Sequence, residues 1–176
     1  INKDGSIVGT LEQVYIQVRT SYDARTGENM STYTYYYNDI VAYKIDKEGE
    51  FDWVEKIQKS QISTNDGGPF SSYQSFIDND KIHFIFNDNV LNYNESGSFD
   101  DSHKLYSANY GKKKNVVALT SVSLADGSVS RKTLFDRSEI QALAVPKLFE
   151  VDYDTRQLMI YAIWGYSKEK FGILKF

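Results

Sequence analysis

The sequence predicts an all-β protein built from antiparallel hairpins, and three observations carry that expectation. Fourteen tyrosines, ten phenylalanines and only two prolines stand among many Ser, Thr, Asn, Asp and Gly, a composition of strands joined by polar turns. The stretch from Tyr33 to Gln58 reads as a hairpin, because two runs rich in β-branched and aromatic residues, Ile40 to Ile45 and Phe51 to Ile57, flank the turn residues Asp46-Lys47-Glu48-Gly49. Turn-then-strand segments also recur, with Ile7, Ile82 and Leu158 in matching places at intervals of 75 and 76 residues.

Taken in order, the turn Lys3-Asp4-Gly5 opens a strand from Ser6 to Arg19, in which Val14, Ile16 and Val18 alternate with Gln13, Tyr15 and Gln17. Ile40 to Ile45 is apolar on both faces and predicts an inner strand, whereas Phe51, Trp53 and Ile57 alternate with Asp52, Lys56 and Gln58 and predict an outer one. Trp53 is expected to fill the gap between neighbouring sheets. A strand near Ser72 to Ile77, the turn Asp78-Asn79-Asp80 and a strand from Lys81 to Phe86 lead to a second hairpin, Val116 to Leu124 and Ser128 to Phe135 about Ala125-Asp126-Gly127. A short helix is expected at Asp136 to Leu143, where Asp136 and Glu139 form a capping box and Pro146 stops it. A strand near Lys147 to Val151, the strand Gln157 to Trp164 and the strand Lys170 to Phe176 complete the chain.

Named A to D, these strands read B-C-D, A-B-C-D and A-B-C. Four antiparallel strands per repeat predict a partial β-propeller of about three blades, with 1–59, 72–135 and 147–176 as its parts; a β-sandwich is the alternative. The period exceeds the roughly 40 to 50 residues of common blades because the B-to-C connections Thr20 to Asn38 and Asn92 to Lys114 are long. The second of these reads as an insertion whose replacement by a short turn leaves folding nearly intact.

IDKEGEFDW resembles the C-to-D turn of PQQ-type propeller repeats, in which Asp and Gly shape the turn and a Trp packs between blades. The second copy, LADGSVSRKT, keeps Asp126 and Gly127 but lacks the Trp, so no quinone-binding role carries over and no cofactor is expected. The wider pattern of YYYNDIVAYKIDKEGEFDWVEKI, KIHFIFNDN and FGILKF is similar to uncharacterised propeller-like proteins of the Bacteroidetes bacteria. That resemblance implies a larger, exported parent protein, in the periplasm or at the cell surface, and supplies no mechanism. The start at Ile1 without methionine or a signal-peptide pattern fits the expectation of a processed protein or fragment.

A net charge of −4 gives no general attraction to nucleic acid, and Lys112-Lys113-Lys114 reads as a solvated run that could at most contact an anion. No apolar stretch approaches a membrane span, and the absence of cysteine removes thiol chemistry and Cys-based zinc sites. His83, in a strand, reads as a satisfied core histidine; His103, beside Asp100 and Asp101, reads as part of a solvated acidic loop. The acidic turns 78–80, 87–89 and 152–154 offer oxygen ligands of the kind calcium uses, but Asx residues are also ordinary turn formers, and no metal is assigned.

Glu12 shares a strand face with Val8, Val14, Ile16 and Val18, so burial of that face requires a partner Lys or Arg, or a kink that turns the carboxylate outward. Tyr33, Tyr35 and Tyr37 fall on one face and, with Tyr36, Trp164 and Tyr166, offer flat surfaces for a sugar or a protein partner; alternatively they extend a long hairpin with its tip at 24–28. Long connections collect at one end of a four-stranded meander and tight turns at the other. The functional expectation is therefore non-catalytic binding of a glycan or surface protein on the long-loop end, with Tyr33, Tyr35, Trp164 and Tyr166 as contact surface and Glu12 and Asp88 as polar anchors. The alternative is a carbohydrate-active enzyme whose catalytic acids come partly from a missing segment; within this chain Asp88 is the nominee to face Glu12 across a cleft. End strands left without neighbours are expected to pair with another chain or a missing segment.

Overall fold

The computed structural model describes residues 1–2, 4–108, 110, 114–136, 139, 142–164 and 168–176. Twelve strands among them form three antiparallel sheets. The first sheet contains β1 (Ile7–Asp23), β2 (Glu28–Ile45), β3 (Phe51–Ile57) and β4 (Gln61–Thr64). The middle sheet contains β5 (Gln74–Asp78), β6 (Lys81–Asn89), β7 (Asn115–Ser123) and β8 (Val129–Asp136). The third contains β9 (Leu143–Ala144), β10 (Glu150–Asp152), β11 (Gln157–Trp164) and β12 (Lys168–Lys175). The segments headed by Ile7, Ile82 and Leu158 thus fall in three different sheets.

Each outer sheet has one strand broken in two. β3 and β4 pair with successive parts of β2, and β9 and β10 with successive parts of β11, which is why ten expected strands become twelve. The long connection expected at 20–38 is itself a hairpin: β1 and β2 stay paired to Asp23 and Glu28, leaving only the tip as a turn. Tyr33, Tyr35 and Tyr37 are therefore strand residues. Opposite Gln13 the partner strand carries an extra residue, so Glu12 pairs with Ile40 but Val14 pairs with Tyr37. This bulge turns the odd-numbered tyrosines to the face that carries Glu12, Val14, Ile16 and Val18.

The sheets stack in chain order. Ile40, Ala42, Trp53 and Ile57 of the first sheet pack against Ile82, Phe84, Phe86, Ala118 and Val122 of the middle sheet. Phe76, Ile85 and Val117, on the other side of the middle sheet, pack against Ala144, Phe149 and Leu158. Alternation along β6 thus serves two cores, as befits a strand buried on both faces. Trp53 lies in the first interface, and its Nε1 donates to the Leu124 carbonyl at 3.4 Å. Gly127 adopts φ +75°, and a Cβ there would meet Trp53 Cγ at 3.0 Å, so both backbone and packing require glycine. The expected apolarity of both faces of 40–45 meets a different outcome on each side: Ile40 and Ala42 are fully buried, whereas Val41, Tyr43 and Ile45 are only half-buried.

The capping box forms, with Glu139 N–H donating to Asp136 Oδ1 at 2.9 Å and Asp136 N–H to Glu139 Oε2 at 3.3 Å. Most of the helix expected behind it lies outside the described residues, as do Lys112, Lys113 and Tyr166. No helix among the described residues is long and apolar enough to cross a membrane.

Candidate functional site

The long connections meet at one end of the stack. Ser60 and Ser107 hydroxyls lie 2.7 Å apart, Ala108 N–H donates to the Ser60 carbonyl at 2.8 Å, and Gln61 bridges in parallel to Ala108. Ala108, Tyr110, Leu143 and the half-buried Phe70, drawn from three different connections, form a small apolar cluster of their own. Lys147 Nζ donates to Tyr37 Oη at 3.0 Å and to the Gly68 carbonyl at 3.2 Å, tying the third sheet's approach to the base of the hairpin. The described residues of the segment 92–114 are therefore part of the body. Asn92 and Ala108 are fully buried, which corrects the expectation of a removable insertion.

Beneath this platform runs a buried polar seam. Lys59, its side chain wholly inside, places Nζ 2.7 Å from Glu12 Oε1, 3.0 Å from the Tyr37 carbonyl and 3.0 Å from Gln61 Oε1. Nζ thus donates two hydrogen bonds, to the Tyr37 carbonyl and Gln61, and forms an ion pair with Glu12. Burial lowers the Lys59 pKa and the Glu12 carboxylate opposes that shift. Glu12 is completed by Ser72, whose hydroxyl donates to Oε2 at 2.7 Å. The requirement read from the sequence, a cationic partner for Glu12, is thus met by a residue in the break between β3 and β4. Gln61 donates onward to the Asn87 carbonyl at 2.8 Å, and Asn87 Nδ2 donates to the carbonyls of Phe70 and Ala144, each at 2.8 Å.

Asp88 occupies a second buried node. Asn92 Nδ2 donates to its Oδ1 at 2.9 Å, Tyr93 Oη to its Oδ2 at 2.6 Å, and Arg131 Nη2 pairs with Oδ2. The Arg131 guanidinium lies against the rings of Phe86, Tyr93 and Phe99, with its carbon 4.2 to 5.5 Å from their centroids. Burial, then the adjacent Asp88 charge, pushes the Tyr93 hydroxyl far up, so it remains a neutral donor. Asp88 has no exposure and its oxygens are taken, which removes it from the contact surface where it was expected. Glu12 and Asp88 each serve a cation, so they are not a free acid pair flanking a substrate.

An accessible cavity of about 450 Å³ opens between the β4 residues Ile62, Ser63 and Thr64 and the segment holding Ser107, Ala108 and Tyr110, with Asp66 at its rim. Its wall combines the hydroxyl residues Ser63, Thr64, Ser107 and Tyr110 and the Asp66 carboxylate with the apolar Ile62 and Ala108. Ser63, in that wall, has a buried Oγ without a hydrogen-bond partner among the described residues. Ser63 pairs with Tyr35 across the strands, and Tyr33 N–H donates to Asn65 Oδ1 at 2.8 Å, so the tyrosine strand borders the cavity. Tyr33 is exposed and Tyr35 half-buried. Trp164 closes β11 at the same end of its sheet, exposed, with Lys168 Nζ 4.8 Å above its ring. Tyr33 and Tyr35 thus lie on the strand next to the cavity without lining it, while Trp164 stands on another sheet.

The residues that sequence reasoning did not single out are Lys59, Gln61, Ser63, Asp66 and Arg131. Glu12 signalled that a cation was needed but not which one, and four-residue β4 lacks the alternation that marks a strand. Among the described residues no three His, Asp or Glu side chains converge as metal ligands. The acidic turns are occupied internally: Asp78 is held by Arg156 at 2.6 Å, and Asp152 accepts from Thr155 Oγ1 at 2.6 Å. His83 is satisfied by Ser121 at 2.8 Å and stacks on Phe76, and His103 faces Asp100 at 3.9 Å on the surface. Comparison with protein-family models, with curated proteins and with solved structures finds no match to this chain.

Proposed function

We propose that this chain is a non-catalytic binding module of an exported bacterial protein, an arc of three propeller-like blades that takes a sugar unit of a glycan on its long-loop end. One observation carries the reading: the cavity beside β4, with hydroxyl and carboxylate lining and a tyrosine strand at its border. Its volume falls in the range of small-ligand sites, its lining supplies donors and acceptors for sugar hydroxyls, and tyrosines on the adjoining strand suit the apolar face of a sugar ring. The stack of three sheets in chain order, each with its matching strand at a regular interval, supports the blade arrangement. A rigid scaffold with one end reduced to bare turns places binding on the other. The enzymatic alternative loses its nominated acids, because Glu12 and Asp88 are spent on Lys59 and Arg131.

The test is a glycan array followed by titration of the best glycan into wild type and Asp66→Asn. Asparagine keeps an oxygen for the Gly68 N–H bond, 2.9 Å in the wild type, while removing the charge. Loss of a charged hydrogen bond predicts affinity about tenfold weaker with unchanged melting. Equal affinity in the two proteins would move the ligand elsewhere.

A further inference from the structure

The internal repeat assigns a partner to the two faces at the ends of the stack. Ile82, Phe84 and Phe86 on β6 are buried against the first sheet, and Leu158 and Ala162 on β11 are buried on the side of the middle sheet. At the same intervals, the counterparts on β1 are Ile7, Gly9 and Leu11, yet Ile7 is 40% and Leu11 61% exposed. Phe51 and Val54 of β3 extend this uncovered face, at 64% and 53% exposed. The first sheet thus carries an apolar surface of the kind that, in the other two, receives the preceding sheet.

The third sheet shows the converse. Leu119 lies opposite Ile85 on the face of the middle sheet that packs on its successor, and the corresponding pair is Phe171 opposite Tyr161. Phe171 and Ile173 are 65% and 66% exposed. They border a groove of about 680 Å³ that also includes Met159, with Glu150 and Asp152 in its lining. By strand register Glu150, Asp152 and Glu169 share this face with Lys175, and the uncovered face of the first sheet carries Arg19 and Lys56 together with Asp23, Glu28 and Asp39.

We infer that the third sheet of one copy of this chain packs on the first sheet of a second copy, head to tail. The contact reuses the face-to-face packing already present twice within the chain. It is heterologous, so it either closes into a ring or runs on as a filament. Closure at two copies rests on the blade reading proposed above, since six sheets fall within the roughly four to eight blades of closed propellers. The contact itself rests only on the repeat.

Sedimentation velocity on the wild-type chain and on Leu11→Asp and Phe171→Asp tests this. Both substitutions are at exposed positions, and circular dichroism confirms that the variants are folded. Wild type is expected to sediment as two copies, and each variant alone as one. An equimolar mixture of the variants should regain a two-copy species, because one unaltered first-sheet face then meets one unaltered third-sheet face. A monomeric wild type, or a dimer untouched by Phe171→Asp, would overturn the head-to-tail contact. A ladder of larger species would overturn closure at two copies while leaving the contact in place; glycan binding by monomeric variants separates either failure from failure of the binding reading.

Discussion

Trp53, Lys59 and His83 make different demands on their surroundings, and each demand is measurable. Trp53 is buried between two sheets, so Trp53→Ala is expected to cost about 3 to 5 kcal/mol in denaturant melts; a loss under about 1 kcal/mol would contradict its packing role. Lys59→Met leaves the Glu12 carboxylate buried beside an apolar chain and is expected to cost about 3 to 5 kcal/mol. The double variant Glu12→Met/Lys59→Met should be far less destabilised than the two single changes added together, which a double-mutant cycle reads directly. Burial holds the His83 imidazole below its ordinary 6.5, so the unfolded chain takes the proton first as pH falls. His83 therefore contributes stability that is present above 6.5 and lost as pH drops toward the depressed value, and His83→Gln should flatten the fall in melting temperature between neutral pH and about 5. The need for a partner at Glu12 was legible in sequence because strand alternation exposes a misplaced charge. The identity of the partner was not, since Lys59 is brought there by a break between two strands.

At the level of elements, hairpins were readable wherever period-two alternation was bounded by Asp, Asn and Gly, and β3 and β11 fall where the pattern put them. What the pattern missed are short pieces held by tertiary contacts. β4 and β9 have four and two residues, too few to show alternation, and segment 92–114 has polar composition although its Asn92 and Ala108 are buried. Polar side chains that bond buried carbonyls, as Asn87 and Asn92 do, resemble loop residues in a sequence. Two excisions therefore have opposite expected outcomes. Replacing 92–114 by a short turn removes Ala108 and Tyr110 from their apolar cluster and Tyr93 from Arg131, and should abolish cooperative melting. Removing 20–31 and rejoining the strands with a turn deletes only the exposed end of the hairpin and should leave the melting temperature nearly unchanged.

For the whole molecule, the middle sheet is buried on both faces and the outer sheets on one. Amides of β6 and β7 are accordingly expected to exchange with deuterium most slowly, and those at the β1–β2 tip fastest; comparable protection in β12 and β7 would contradict the layered core. Strand pairing has a further consequence for how the chain forms. Every strand-to-strand ladder among the described residues lies within one contiguous third of the chain, with the Gln61–Ala108 bridge added to the edge of β4 from the middle third. Loop closure for each sheet is local, which favours rapid pairing. A ribosome releasing this chain would deliver a finished first sheet before the middle sheet was made. That sheet would wait with Ile40, Ala42 and Ile57 bare, and the vulnerable interval in synthesis is the time taken to translate residues 74–136.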